Sequence, residues 1–265
     1  MASCEADSAR PLITLTTDFG LEDTYVGQLK AALWQVAPHS RILDLSHGVA
    51  PGAIVQGAYL LASALPYLPA GAVHLAVVDP GVGGKRQALA ARSARGWYVG
   101  PDNGLFTLAW EIDPWLEVVA LDPHKMGLER VSATFQGRDL FAPAAARLAA
   151  GAKLEALGTP AQTPLALEWP RWAPGAQRGL VQIFHIDRFG NLILSLPQYL
   201  APPNCQSLYF LGEELPLVAT FCQVEPGQPL AYWGSGGYLE IGLRDASAAA
   251  HWALRLGQIE EIAFA

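Results

Sequence analysis

Short apolar runs alternate with amphipathic stretches over roughly the first 150 residues, and beyond residue 180 the apolar runs stand alone. Residues 12–16 read as a buried strand. Over 22–37, Val26, Leu29, Leu33 and Val36 recur at spacings of three and four, which places them on one helical face, and Pro38 ends that helix. The pattern then predicts a strand at 41–45, a helix at 53–66 and a strand at 73–78 that runs straight into Asp79. Residues 88–92 and 96–99 read as further strands, and 139–150 as an Ala-rich helix. Strand–helix–strand–helix–strand is the rhythm of an α/β domain with a mostly parallel, Rossmann-like sheet.

Pro160, Pro164, Pro170 and Pro174 crowd into 159–179, a stretch without helical periodicity that reads as a linker. Beyond it, β-type runs at 180–186, 191–196, 206–211, 217–221, 229–233 and 238–243 are separated by Gly, Pro and Asn. Such spacing predicts a small all-β domain, sandwich or barrel. The expected organisation is an α/β domain over 10–170 and a β domain over 180–265, with 1–10 as a disordered tail.

Composition narrows the function classes. The formal charge is −7 and no Lys/Arg run occurs, which argues against nucleic acid, whose phosphates need a concentrated basic surface. Net negative charge suits a cationic small substrate. Cys4, Cys205 and Cys222 are odd in number and widely spaced, so free thiols are expected, with neither a disulfide framework nor a zinc site. Six scattered histidines lack metal-ligand spacing, and no metal is expected. With no secretory apolar segment and no run of membrane-spanning length, a soluble cytoplasmic protein without a membrane partner is expected.

Candidate chemistry clusters at the predicted strand ends. Thr17-Asp18-Phe19-Gly20, followed by Asp23, lies where the first strand meets the first helix, and ligands of open α/β sheets bind at the carboxyl ends of strands. A carboxylate there can accept both ribose hydroxyls, or it can simply cap the helix. Val78-Asp79-Pro80-Gly81-Val82-Gly83-Gly84-Lys85-Arg86 resembles two nucleotide fingerprints and fits neither: a Walker loop needs Gly where Asp79 stands, and the dinucleotide pattern needs Gly at Arg86. What remains is a tight turn carrying Asp79 and Arg86, an ion pair for holding a polar ligand or water, or an ordinary surface pair. Pro101-Asp102-Asn103-Gly104 is a turn signal. Asp187-Arg188-Phe189-Gly190-Asn191 offers a stacking ring and a carboxamide, as a purine edge requires, and Gly234-Ser235-Gly236-Gly237 is a last polar loop leading to Glu240.

Taken together and in order, these motifs, with Phe135-Gln136-Gly137-Arg138-Asp139 and Tyr238-Leu239-Glu240-Ile241, closely resemble the S-adenosylmethionine hydroxide adenosyltransferase family from about residue 12 to the C-terminus. The resemblance implies an N-terminal α/β domain, a C-terminal β-barrel, and a homotrimer with the substrate between neighbouring subunits. It implies hydrolysis of S-adenosylmethionine to adenosine and L-methionine, with no cofactor. Asp18 would hold the ribose hydroxyls, and Asp23, Asp187 and Ser235 the methionine portion. Phe189, Asn191 and Phe221 would surround the adenine, with Thr134 and Glu240 as further substrate contacts. Asp79 and Arg86 match two members of the family's water-handling Asp-Arg-His triad, and Gln136 stands where the family has histidine.

A sulfonium leaves readily, so the protein's task is to place a water in line behind C5′. Positioning supplies up to about 7–11 kcal/mol of a barrier, whereas a general base adds a factor of about 10²–10⁴. Gln136 orients a water but accepts no proton, so hydrolysis is expected to survive, slowed. Two other readings stay open: a non-catalytic adenosine or S-adenosylmethionine binding module, motivated by Gln136, and a halide-dependent adenosyl transferase, opposed by the carboxylate of Asp79.

Overall fold

The computed structural model describes residues 11–265, so the expected tail at 1–10 and Cys4 lie outside the described residues. These residues form two compact units that divide between Leu167 and Glu168.

In the first unit, strands β1 (Leu12–Thr17), β2 (Arg41–Ser46), β3 (Ala72–Val77), β4 (Ala88–Ser93), β5 (Gly96–Pro101), β6 (Trp115–Leu121) and β7 (Gly158–Pro160) form one sheet in the order β2-β1-β3-β5-β4-β6-β7. The pairings β2–β1, β1–β3 and β3–β5 are parallel, while β4 and β7 run against their neighbours, so the sheet is mixed. Every residue of β3 is buried, because alternate side chains enter two different cores. Val73, Leu75 and Val77 meet Leu29 and Leu33 of helix α1 (Tyr25–Val36). Ala76 and the following Val78 face Leu61 of helix α2 (Ile54–Ala64) and Phe106, beside the short helix α3 (Thr107–Ile112). Helix α4 (Ala142–Ala149) packs its alanines on the α1 side and is preceded by one wide, π-type turn over Gly137–Phe141.

Two elements of this unit escape the hydrophobic pattern. Helix α3 has six residues, too few to show a period, and β6 carries Glu117 among its apolar residues. The Pro-rich stretch 159–179 is not one element. Its start is β7, the amides of Leu165 and Leu167 donate to Asp102 Oδ1 (2.8 Å) and Thr107 Oγ1 (2.9 Å), and Trp172 is buried in the second unit against Phe264.

The second unit is antiparallel. Strands β8 (Arg178–Ile186), β9 (Leu192–Pro197), β10 (Ser207–Phe210), β11 (Glu213–Pro216), β12 (Pro229–Trp233), β13 (Tyr238–Leu243) and β14 (Ile259–Phe264) take the order β11-β10-β14-β8-β9-β13-β12. A bridge from Leu217, just after β11, to Ala231 of β12 brings the two ends of the sheet together, giving a nearly closed barrel. Val181, Ile183, Leu194, Phe210, Ile241 and Ile262 fill it. The strand expected at 217–221 is absent. Thr220 and Gln223 form a capping box, and Gln223 Oε1 accepts the amides of Ala219 (2.8 Å) and Thr220 (3.0 Å), so the chain turns into a short helix at Phe221–Gln223. Among the described residues no helix is long and apolar enough to cross a membrane.

A buried polar network lies in the first unit away from the strand ends. His74 Nδ1 pairs with Thr14 Oγ1 (2.9 Å), and its ring lies 5.0 Å from that of Tyr98. Asp113 accepts from Ser93 Oγ (2.5 Å) and Tyr98 Oη (3.1 Å). Burial, partly opposed by Asp113, holds the His74 imidazole down at about 4. Between that value and 6.5 the unfolded chain binds a proton that the folded protein refuses, so stability is full above pH 6.5 and falls as pH drops toward 4. At about 1.4 kcal/mol per pH unit, lowering pH from 7 to 5 is expected to remove about 2 kcal/mol through this group. Urea unfolding at the two pH values checks this, and His74→Gln should flatten the dependence.

Candidate active site

From β1 the chain moves to β2 on one side and then to β3 on the other, so the sheet's topological switch point lies between the carboxyl ends of β1 and β3. Crevices at such points bind ligands. Asp18 follows β1 and Asp79 follows β3, and the strands are in register at Thr17 and Val77. The pairing therefore delivers two carboxylates to one place.

Asp79 is held from three sides. The Asn103 amide donates to the Val78 carbonyl (2.8 Å), while Asn103 Oδ1 accepts from the Leu105 amide (3.2 Å), pinning the strand end that carries Asp79. Arg86 Nε donates to both Asp79 oxygens (3.1 and 2.9 Å), and Arg86 Nη2 donates to Oδ2. The side chains of the pair are 5% and 11% exposed for Asp79 and Arg86, which makes it a buried pair and not the surface pair considered above. The guanidinium lies 5.4 Å over the ring of Phe141. The turn between the partners closes on the segment that leads to Gln136: Gly83 has φ +74°, and a Cβ there would stand 2.6 Å from the Ala133 carbonyl oxygen. Only glycine fits that approach.

Gln136 opens the π-type turn, and its Oε1 accepts from Arg86 Nη2 at 2.5 Å. Asp79, Arg86 and Gln136 thus form one hydrogen-bonded chain. Asp18 Oδ2 accepts the Gly52 amide (2.8 Å). Burial pushes the Asp18 carboxyl up, the Gly52 amide opposes this, and the charge of Asp79 adds to the rise. Phe19, Tyr25 and Phe135 form an edge-to-face cluster, with ring centres 5.2–6.3 Å apart. Asp23 and Thr134 lie on exposed turns, Thr134 bonded to Ser132.

In the second unit a cavity of about 550 Å³ is lined by Phe189, Asn191, Phe221, Leu243 and residues 245–247. Asp187 organises its loop: Oδ1 accepts the amides of Phe189 (2.9 Å) and Asn191 (2.8 Å), and Oδ2 accepts from Asn191 Nδ2 (2.8 Å). A carboxylate only accepts, so Asn191 must turn its NH₂ to Asp187 and keep Oδ1 as an acceptor, the complement of an exocyclic amine. Phe189 is 77% exposed. Glu240 accepts from Tyr232 Oη (2.6 Å), and burial pushes its carboxyl up, opposed by Tyr232 and reinforced by the charge of Asp187. Ser235 is exposed on its loop.

Several residues here were not singled out from the sequence. Asn103 stood in a recognised turn signal, but its bond to Val78 is a tertiary contact. Asp245 has φ +62° and Ser247 caps the following short helix by accepting the Ala250 amide (3.1 Å), and their pattern alone reads as ordinary turn chemistry.

The SAM hydroxide adenosyltransferase N-terminal domain matches residues 13–158, and the corresponding C-terminal domain matches residues 181–260. The chain belongs to the SAM hydroxide adenosyltransferase family. It is 45% identical to an (R)-S-adenosyl-L-methionine hydrolase of Thermus thermophilus, over 94% of this chain and 97% of that protein. A protein of the same name from Salinispora tropica is 41% identical, over 90% and 92% of the two chains. A fluorinase of Nocardia brasiliensis is more distant, at 28% identity over 94% and 95%. A crystal structure of an uncharacterized conserved protein from Thermotoga maritima superposes with a TM-score of 0.85 at 28% identity, covering 95% of this chain and 99% of that one.

The cavity supplies a direct test. A Cβ on Gly242 would stand 2.8 Å from the Phe221 ring and 2.9 Å from Asn191 Oδ1. Gly242→Ala is expected to displace both and, on the adenine assignment that the resemblance implies, to weaken adenosine binding about tenfold or more by calorimetry, with the circular dichroism spectrum unchanged.

Proposed function

We propose that this protein hydrolyses S-adenosyl-L-methionine, in the (R)-sulfonium form named for its relatives, to adenosine and L-methionine. The observation that carries this reading is the chain Asp79–Arg86–Gln136 at the switch point, beside a second carboxylate on Asp18. Asp18 has Oδ1 to accept the ribose hydroxyls. Phe189 and Phe221 flank the adenine, whose amino group donates to Asn191 Oδ1. Asp187, Glu240 and Ser235 take the methionine portion, with Asp23 and Thr134 as outer contacts.

The water attacks C5′ from the side opposite sulfur. As the O–C5′ bond forms, the S–C5′ bond breaks and its electron pair returns to sulfur, leaving the neutral thioether of methionine. The protonated oxygen gives up one proton toward Asp79 and solvent, so one cation and one water become adenosine, methionine and a proton. Arg86 keeps Asp79 fixed and compensated, so that the carboxylate acts as an aimed acceptor. Halide transfer is disfavoured because an incoming anion would meet the Asp79 carboxylate. A pure binding role is favoured only by Gln136, which offers no proton acceptor toward the water. We include in this reading the homotrimer implied by the resemblance, for which sedimentation should give three times the mass of one chain.

Incubation with the (R) and (S) epimers, with chromatography of the products, tests the proposal. Adenosine above the no-enzyme control is expected, faster from the (R) epimer. Its absence with both epimers would overturn the reading. Asp79→Asn, which keeps the shape and removes the charge, should lower kcat by about 10²–10³. Arg86→Ala should abolish turnover and also destabilise the fold by about 3–5 kcal/mol, because it leaves a buried carboxylate uncompensated.

A further inference from the structure

We infer that Gln136 is a positioning residue that donates a hydrogen bond to the attacking water, leaving Asp79 as the group in this trio that accepts from it. The inference rests on the hydrolase reading and adds the direction of each hydrogen bond.

A guanidinium has donors and no acceptor, so the contact from Arg86 Nη2 requires Gln136 to present Oε1 to it. The same contact commits that end of the amide. What remains on Gln136 is Nε2 with two N–H bonds, which has no bonded partner among the described residues. A water molecule has two lone pairs and two protons. One lone pair attacks C5′, the other accepts from Gln136 Nε2, and one proton is donated to Asp79. All three directions are satisfied at once, and the water is aimed without any group taking a proton at the Gln136 position.

A histidine at 136 would behave differently. When neutral it would accept from Arg86 through one ring nitrogen and donate to the water from the other, but protonation near pH 6.5 would make both nitrogens donors and set one of them against the guanidinium. In this chain the charged groups on the elements around Gln136 are Asp18 and Asp79 at the strand ends, Arg86 and the exposed Lys85 on the glycine turn, and Arg138 with Asp139, paired to each other on the π-type turn. Phe19, Phe135 and Phe141 contribute only rings. His47 stands behind Asp18, bonded through Nδ1 to Thr17 Oγ1 (2.7 Å), and is not part of the trio.

The test is kcat and KM for adenosine formation by the full-length protein, Gln136→Leu and Gln136→His across about pH 5.5 to 8.5. Wild-type kcat is expected to change less than about twofold over that range. Gln136→Leu removes the donor and should lower kcat about 10–100-fold at every pH, with KM within about twofold, since orientation and not substrate binding is lost. Gln136→His should gain an ascending limb centred near the imidazole value of about 6.5, because the protonated ring can no longer accept from Arg86. Full activity in Gln136→Leu, or a wild-type ascending limb that Gln136→His leaves in place, would overturn this inference while the hydrolase reading stands. No adenosine from the wild type would overturn both. If Gln136→Leu fails to fold, the limb in Gln136→His decides alone.

Discussion

The site is organised around one buried ion pair. Asp79 and Arg86 are almost withdrawn from solvent, and taking two charges out of water costs several kcal/mol per ion unless the remaining donors and acceptors are met. Here they are met by geometry. Arg86 spans both carboxylate oxygens, extends to Gln136, and lies over Phe141. Such a pair contributes little net stability against an apolar replacement, but it admits very few arrangements. Its use is specificity of position: the strand end, the glycine turn and the π-type turn must all be correctly placed for both charges to be compensated.

That constraint also shapes the field at the switch point. Asp79 is locally balanced by Arg86, whereas Asp18 relies on the Gly52 amide and feels the charge of Asp79. An incoming sulfonium would therefore meet two carboxylates of unequal character. Asp18 has an oxygen available to hydroxyl donors. Asp79 is held as an acceptor whose direction is set by three hydrogen bonds from one guanidinium.

The two units solve the same problem with opposite polarity. In each, a fixed charged group decides which end of a carboxamide is free. Arg86 takes the oxygen of Gln136 and leaves an N–H donor, while Asp187 takes the NH₂ of Asn191 and leaves an oxygen acceptor. Neither amide can flip without setting donor against donor or acceptor against acceptor beside a charge, an arrangement that low-dielectric surroundings penalise heavily. Asp187 thereby does its work through the loop it organises as much as through any contact of its own.

Much of this was legible in the chain. Period-3.6 and period-2 patterns located α1, α2 and most strands, because each element buries a face and burial is written in the spacing of apolar residues. The motifs at Asp18, Asp79–Arg86 and Asp187–Asn191 were visible because turns and strand ends need particular residue types. The pattern did not reveal β6 or β14, where glutamates interrupt the apolar run. Glu261, paired with Arg178 on the neighbouring strand, is the clearest case. Nor did it reveal the turn at Phe221–Gln223, where side-chain bonds compete with strand pairing. Local spacing determined which segments are strands and helices and which side chains are chemically capable. Only the tertiary structure decided that β1 and β3 are neighbours, that Asn103 ties down Val78, and which end of Gln136 and of Asn191 is free. Those depend on hydrogen bonds between residues as much as sixty positions apart, and the direction of such a bond has no signature in the spacing of residues along the chain.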